Sequence, residues 1–294
     1  MRVWYHAARE VNTTKATGRP AGEAGRNGGW PLPALFCLVR AMALARAADE
    51  IQVYNAEINP PGRFSLQLHA NYVPRGRTAA EFQGGMVPDG AFNGTPEFAL
   101  GVTDFWEVGA YLPYAVTRDG DIEPGGAKLR TLLASPHAHD RRFFYGVNFE
   151  LSHQPRLFGG SHWNSEIRPI IGYRRRSIEV IVNPIVDVAL SGPRRTIGFV
   201  PAARLAYLPS SAWAVGLEHY ADFGPIDHFV RSDRQLQELY FVADYSGPAL
   251  DVDFGVGRGL TPGSDDWTVK FILGWLFQAD GRRSRPDLTV RTHT

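Results

Sequence analysis

The stretch Trp267 to Phe277, WTVKFILGWLF, constrains the fold more than any other. Its odd-numbered positions, Trp267, Val269, Phe271, Leu273, Trp275 and Phe277, are all apolar, while Thr268, Lys270 and Gly274 fall between them. A period of two means a strand with one apolar face. A soluble sheet buries such a face and has little use for Trp at both ends of it. A membrane-spanning strand instead carries aromatics at both interfaces with apolar side chains between them. About ten residues cross a bilayer when the strand is tilted. The stretch therefore predicts the closing strand of an outer-membrane β-barrel, and with it the segment that the barrel-insertion machinery reads.

The same two-faced pattern recurs upstream. From 63 to 73, Phe64, Leu66, Leu68, Ala70 and Tyr72 share one face, and Ser65, Gln67, His69 and Asn71 the other. Comparable segments at 95–104, 107–116, 126–134, 143–152, 164–173, 177–189, 198–208, 212–222, 235–245 and 249–258 bring the expected total to about twelve strands. Pro169 is an awkward member, because proline donates nothing to a ladder. The predicted connections alternate, with long ones such as 74–94 and 223–234 at one end and tight ones such as Phe105-Trp106 and Pro209 to Ser211 at the other. An even-stranded outer-membrane barrel has this asymmetry, with both chain ends in the periplasm. The fold class is all-β, a transmembrane antiparallel up-and-down barrel over 63–277, and a secreted β-sandwich is the alternative.

Lys and Arg number 31 against 30 Asp and Glu, a balance that gives nucleic acid no electrostatic footprint. Residues 1–47 read as a leader. Its core at 32–47 runs apolar through LPALFCLV and AMALA and ends at Ala45-Arg46-Ala47, a small-x-small signal-peptidase pattern; Arg40 inside the core and the unusual length of the leader depart from the ordinary signal. Cys37, the single cysteine, lies inside that core, so the mature chain is expected to carry neither disulfide nor thiolate metal site. An extended lead-in follows over 48–62, and residues 278–294 read as a disordered tail.

Five pieces, TPEFALGVTDFWEVGAYLPY (95–114), YGVNFELSH (145–153), VNPIVDVAL (182–190), VGLEHYADFG (215–224) and GVGRGLTPGSDDWTVKFILGWLF (255–277), resemble a poorly characterised family of proteobacterial outer-membrane β-barrels. The family is similar to the transporters of the phenol-degradation MetA-pathway group. The resemblance implies a barrel and a transport role, without naming a solute. Residues 278–294 depart from it, since such proteins usually finish at the terminal aromatic.

Opposite the apolar face, the pattern places Glu97, Glu107, Lys128, Arg130, Glu150, Glu166, Arg168, Glu179, Arg204, Glu218, Glu238, Asp251, Asp253 and Lys270 in the lumen. Acids exceed bases there. Cross-strand spacing allows Glu107 to meet Lys128 or Arg130, and Lys270 to meet Asp251 or Asp253. Carboxylates in a pore favour cations or basic solutes; equally, the charges can neutralise one another and fill the lumen. The expected function is passive passage of a small hydrophobic or cationic solute through the outer membrane, with lipid as its surroundings and no cofactor. The alternatives are a closed structural or receptor barrel that binds through its loops, and a lipid-modifying hydrolase. A hydrolase would draw on Ser152-His153 or Ser161-His162, but neighbouring strand residues face opposite ways, which argues against a catalytic pair. His137-Ala138-His139-Asp140 carries imidazoles that can ligate a metal, but it falls in a predicted turn and reads as solvated.

Overall fold

The computed structural model describes residues 50–192, 196–247 and 250–277. The expected leader, the first two residues of the lead-in and the tail over 278–294 lie outside the described residues. The strands in order are β1 (Phe64–Arg75), β2 (Phe92–Gly101), β3 (Trp106–Tyr111), β4 (Tyr114–Val116), β5 (Ile122–Pro124), β6 (Ala127–Ala134), β7 (Phe143–His153) and β8 (Trp163–Arg175). They continue with β9 (Ile178–Asn183), β10 (Val186–Ala189), β11 (Ile197–Phe199), β12 (Ala202–Tyr207), β13 (Trp213–Asp222), β14 (Leu236–Ser246), β15 (Asp251–Gly259) and β16 (Trp267–Phe277). All pairings are antiparallel, and β1 bonds to β16 on one side and β2 on the other, so the sheet closes. Closure satisfies the backbone without a free edge, which is what a lipid environment demands.

Four of the staves are interrupted. Joining β3 with β4, β5 with β6, β9 with β10 and β11 with β12 gives twelve, as expected. Pro113, Gly125-Gly126, Pro184 and Pro201 mark the breaks. Proline has no N–H for the ladder, and the breaks lie side by side so that they bond to one another. Gly125 N–H donates to Pro113 O (2.7 Å), and Val200 N–H donates to Ile185 O (3.0 Å). Gly126 has φ +90°, a left-handed conformation that glycine adopts without strain. Pro169 stays inside β8. Residues 164–167 pair with β10 and 171–175 with β9, so Pro169 lies across from the gap between them, where a missing donor costs little. The connections follow the expected asymmetry: 76–91, 117–121, 154–162, 190–196, 223–235 and 260–266 lie at one end, and tight turns with 135–142 at the other. One correction is local, since Trp106 belongs to β3 and the turn before it is 102–105.

The outward face is apolar. Leu129, Leu151, Ile171, Val180, Leu205, Leu217, Phe241 and Phe254 are all exposed. Exposed aromatics rim the tight-turn end, Phe105, Trp106, Tyr173, Tyr207 and Trp213 among them, while Tyr72, Trp163 and Trp267 lie toward the other end. Trp213 packs on Tyr245 at 5.0 Å, and the Arg258 guanidinium covers Trp267 at 5.0 Å. Two aromatic girdles around an apolar band are the surface of a membrane-spanning barrel. A secreted sandwich has no use for that surface, and the closed sheet rules it out.

Inward glycines make room for rings. A Cβ on Gly172 would lie 2.0 Å from the Phe144 ring, and one on Gly257 would lie 2.4 Å from the Tyr240 ring. Both rings are fully buried inside the barrel. Gly172→Ala is therefore expected to lower stability by about 1–3 kcal/mol through overpacking. Urea unfolding of the refolded barrel in micelles checks this, and an unshifted midpoint contradicts it.

Candidate functional site

The lumen is lined as the alternation dictates and then filled by the chain itself. Glu97, Glu107, Lys128, Arg130, Glu150, Glu166, Arg168, Glu179, Arg204, Glu218, Glu238 and Lys270 are all buried inside the barrel. Asp253 is half-buried beside Lys270. Asp251, at the first position of β15 next to the tight turn, lies opposite Gly274 on the inward side and is exposed at the rim.

These groups pair within a strand, between neighbouring strands and over intervening ones. Arg130 donates to Glu97 (2.8 Å) and to Glu107 (2.6 Å), and His69 Nε2 meets the other Glu97 oxygen at 3.0 Å. Arg168 holds Glu166 at 2.6 and 3.1 Å through two nitrogens. Arg204 donates to Glu218 (2.7 Å) and to Asp244, and Lys270 donates to Glu218 (2.6 Å) and Asp253 (3.2 Å). Of the two pairings offered for each of Glu107 and Lys270, geometry selects Arg130 and Asp253. Tyr220 and Tyr240 donate to Glu218 (2.7 Å) and Glu238 (3.1 Å) on their own strands, two residues away on the same face. Each buried charge thus has a partner of opposite sign or a phenol, which is what burial of charge requires.

The sequence did not show what lies between these walls. Residues 50–61, expected as a mere lead-in, enter at the tight-turn end and run up the lumen as a strap. Gly62 N–H donates to Gly101 O (2.7 Å) at the rim, and Asn59 N–H donates to Glu107 (2.7 Å). Higher up, Tyr54 N–H donates to Asn183 Oδ1 (2.8 Å), whose amide returns a bond to Tyr54 O (3.1 Å). The Tyr54 hydroxyl lies 2.5 Å from that of Tyr111, and the Arg168 guanidinium stacks on its ring at 4.3 Å. Arg168 also donates to Gln52 O (3.0 Å), Lys270 to Ile51 O (3.3 Å), and Lys128 to Glu50 (3.1 Å). Strap residues Val53, Tyr54 and Ala56 pack with inward-facing Leu132, Phe144, Ile170, Ile181 and Val242. At this depth the strap and the wall side chains fill the lumen.

Above the strap, toward the long loops, lies a cavity of about 410 Å³ with Glu50 and Ile51 on its wall. Its wall carries Glu50, Glu81, Asp222, Asp233, Glu238 and Asp265 against Arg77 and Arg234. The 76–91 loop contributes Arg77, Glu81, Phe82, Met86 and Pro88, so it folds over the mouth as its length permits. Arg77 pins it, donating through its backbone N–H (2.8 Å) and its Nε (3.2 Å) to Asp265, while Met86 N–H donates to Leu157 O (3.0 Å). Burial pushes the Glu81 carboxyl above its ordinary range, Arg77 opposes this, and Asp222 adds to it. Because the folded value exceeds the unfolded one, the folded loop holds the proton more tightly. Loop stability is then greatest at acid pH and falls as pH rises from about 4 through the raised value. Glu81→Gln is expected to flatten that dependence, read as limited proteolysis of the loop against pH. An unchanged slope counts against the assignment.

The candidate catalytic and metal groups are otherwise engaged. Ser152 is buried and donates to Asn164 O (3.4 Å), while His153 points outward and packs on Trp163 at 4.8 Å. The Ser161 hydroxyl has Trp163 O (2.7 Å) and Ser191 O (2.8 Å) as alternative acceptors, and His162 Nδ1 faces Gln154 O at 3.0 Å. Each hydroxyl therefore bonds away from its neighbouring imidazole. Residues 138–140 make a 3-10 turn in which the His139 ring faces the Asp140 carboxylate at 3.1 Å.

Neither a protein-family model nor a curated protein matches this sequence. The affinity with the MetA-pathway group therefore rests on the five quoted pieces alone. Among solved structures, an outer membrane channel from Pseudomonas putida F1 aligns at TM-score 0.50 and 13% identity, covering 78% of this chain and 100% of that one. The NanC porin aligns at TM-score 0.46 and 12% identity, over 73% of this chain and 100% of that one. The translocator domain of the autotransporter NalP from Neisseria meningitidis aligns at 0.43 and 10%, over 76% and 91%. At such identities the likeness to the Pseudomonas channel shows the fold: this chain is built as an outer-membrane-type β-barrel.

Proposed function

We propose that this protein sits in a Gram-negative outer membrane and passes a small cationic or hydrophobic solute, its long loops outward and β16 serving as the strand the insertion machinery reads. The cavity above the strap carries the reading: six acids against two bases around 410 Å³, opening toward the long loops. Such a wall concentrates cations at the mouth. Its apolar members, Phe82, Met86, Val230 and Leu236, suit a solute with a hydrophobic part. The strap makes passage conditional, since residues 50–61 fill the section below. Transport then requires the strap to shift. The strap also favours a second reading, a closed barrel whose vestibule and loops only bind.

Planar-bilayer conductance under a salt gradient separates the two. Discrete steps with a cation-selective reversal potential are expected for the channel, and Glu238→Gln is expected to move that potential toward zero by several millivolts. Electrical silence with no solute entry into liposomes leaves the closed barrel. Conductance with an unmoved potential removes Glu238 from the route.

A further inference from the structure

We propose that the tight-turn rim beside β7 and β8 binds the phosphate of an anionic phospholipid in the leaflet it faces. The inference rests on the barrel's place in a bilayer and not on the passage of a solute. Arg141, Arg142, Arg175 and Arg176 are all exposed in two neighbouring turns, which are joined where Arg174 N–H donates to Arg142 O (2.6 Å). No carboxylate among the described residues pairs with any of the four. Asp140 faces His139 at 3.1 Å, and Glu57 and Glu179 lie against Arg174. Arg141 donates to the carbonyl of Pro136 (2.7 Å). The turns at 102–105 and 208–212 on the same rim carry one charge between them, Asp104, so the free guanidiniums are gathered in one arc.

Continuity with the membrane-facing band selects a lipid. Arg175 ends β8 two residues beyond Tyr173, so the two share the outward face, and it pairs with Ile178 on β9. Tyr173 in turn pairs with Phe143 on β7, and Tyr173, Phe143 and Ile178 are all exposed. A molecule that lays its acyl chains on these side chains brings its headgroup level with the guanidiniums. Their planar forks match a phosphate through two parallel hydrogen bonds. A soluble anion or an acidic protein has no use for the band. The backbone adds a second observation. Arg176 has φ +54°, in the left-handed region where a long side chain is an outlier and glycine sits without strain. Strain of this kind persists where function needs the side chain, and here that side chain adds a charge to the arc.

Native mass spectrometry of the refolded full chain in micelles, titrated with phosphatidylglycerol and with phosphatidylcholine of the same acyl chains, tests this. Phosphatidylglycerol is expected to half-saturate at a concentration about tenfold to a hundredfold lower. Arg175→Gln combined with Arg176→Gln is expected to cut that preference about tenfold or more. Arg258→Gln, on β15 at the opposite rim, is expected to leave it unchanged. Arg176→Gly alone is expected to raise the urea midpoint in zwitterionic micelles by relieving the strain, and to weaken the preference about fivefold. Equal binding of the two lipids, the result for a patch that serves an acidic protein instead, overturns the site. So does a preference that survives the double variant, or one that Arg258→Gln lowers as much, which is the effect of bulk charge. A raised midpoint with the preference intact marks a merely strained turn and overturns the assignment of Arg176.

Discussion

Tyr54→Ala is expected to turn an almost closed barrel into an open one. The ring is buried between the Arg168 guanidinium and the inward apolar side chains, and its hydroxyl meets Tyr111 at 2.5 Å and donates to Glu150 at 3.4 Å. Truncating a large buried aromatic costs about 3–5 kcal/mol. Here the loss falls on docking of the strap and not on the ladders, because no strand passes through residue 54. The fraction of barrels with the strap displaced should rise by about two to four powers of ten. Single-channel recording reads this as a large gain in open time, while heat-modifiable mobility on gels stays that of a folded barrel. A variant as quiet as the parent would show that the strap is not the barrier.

Lys270→Met is expected to have the largest effect on stability. Its ammonium is fully buried and joins three parts of the interior: Glu218 on β13 (2.6 Å), Asp253 on β15 (3.2 Å) and the strap carbonyl of Ile51 (3.3 Å). Methionine keeps the volume and removes the charge, leaving Asp253 and Glu218 as close like charges on one stretch of wall. Breaking a buried pair from one side costs about 3–5 kcal/mol. The urea midpoint should fall accordingly. Adding Glu218→Gln should restore part of the loss, because the two sites are coupled through one bond. Purely additive losses would mean that the network carries no cooperative stability.

The two effects follow from one arrangement in which polar walls and an apolar strap share the same section of lumen. Its apolar half is written in the sequence. Pro169-Ile170-Ile171, Val180-Ile181-Val182, Phe241-Val242-Ala243 and Phe271-Ile272-Leu273 interrupt the alternation with an apolar residue on the inward side. A strand covered on both faces reads as a continuous apolar run. Those inward residues, Ile170, Ile181 and Val242 above all, are the ones that meet Val53, Tyr54 and Ala56. Seen together they announce that something covers the inner face at mid-height, although no single strand says what.

The barrel, its twelve staves, the inward placement of nearly every charged side chain and the split between long loops and tight turns were determined by sequence alone. Each depends on a period of two or on turn chemistry, both local properties of the chain. The interruptions at Pro113, Pro184 and Pro201 were local too, since a missing N–H needs no distant partner to break a ladder. Tertiary structure decided the rest. Whether Lys270 meets Asp251 or Asp253 depends on a register between strands, because one step of two residues carries a carboxylate from the core to the rim. Whether 50–61 lies outside the barrel or within it depends on contacts more than a hundred residues apart in sequence, such as Tyr54 with Asn183. No periodicity encodes these long-range contacts. Closure brings the partners together, and closure turned a charged tube with a short lead-in into a strapped lumen beneath an acidic vestibule.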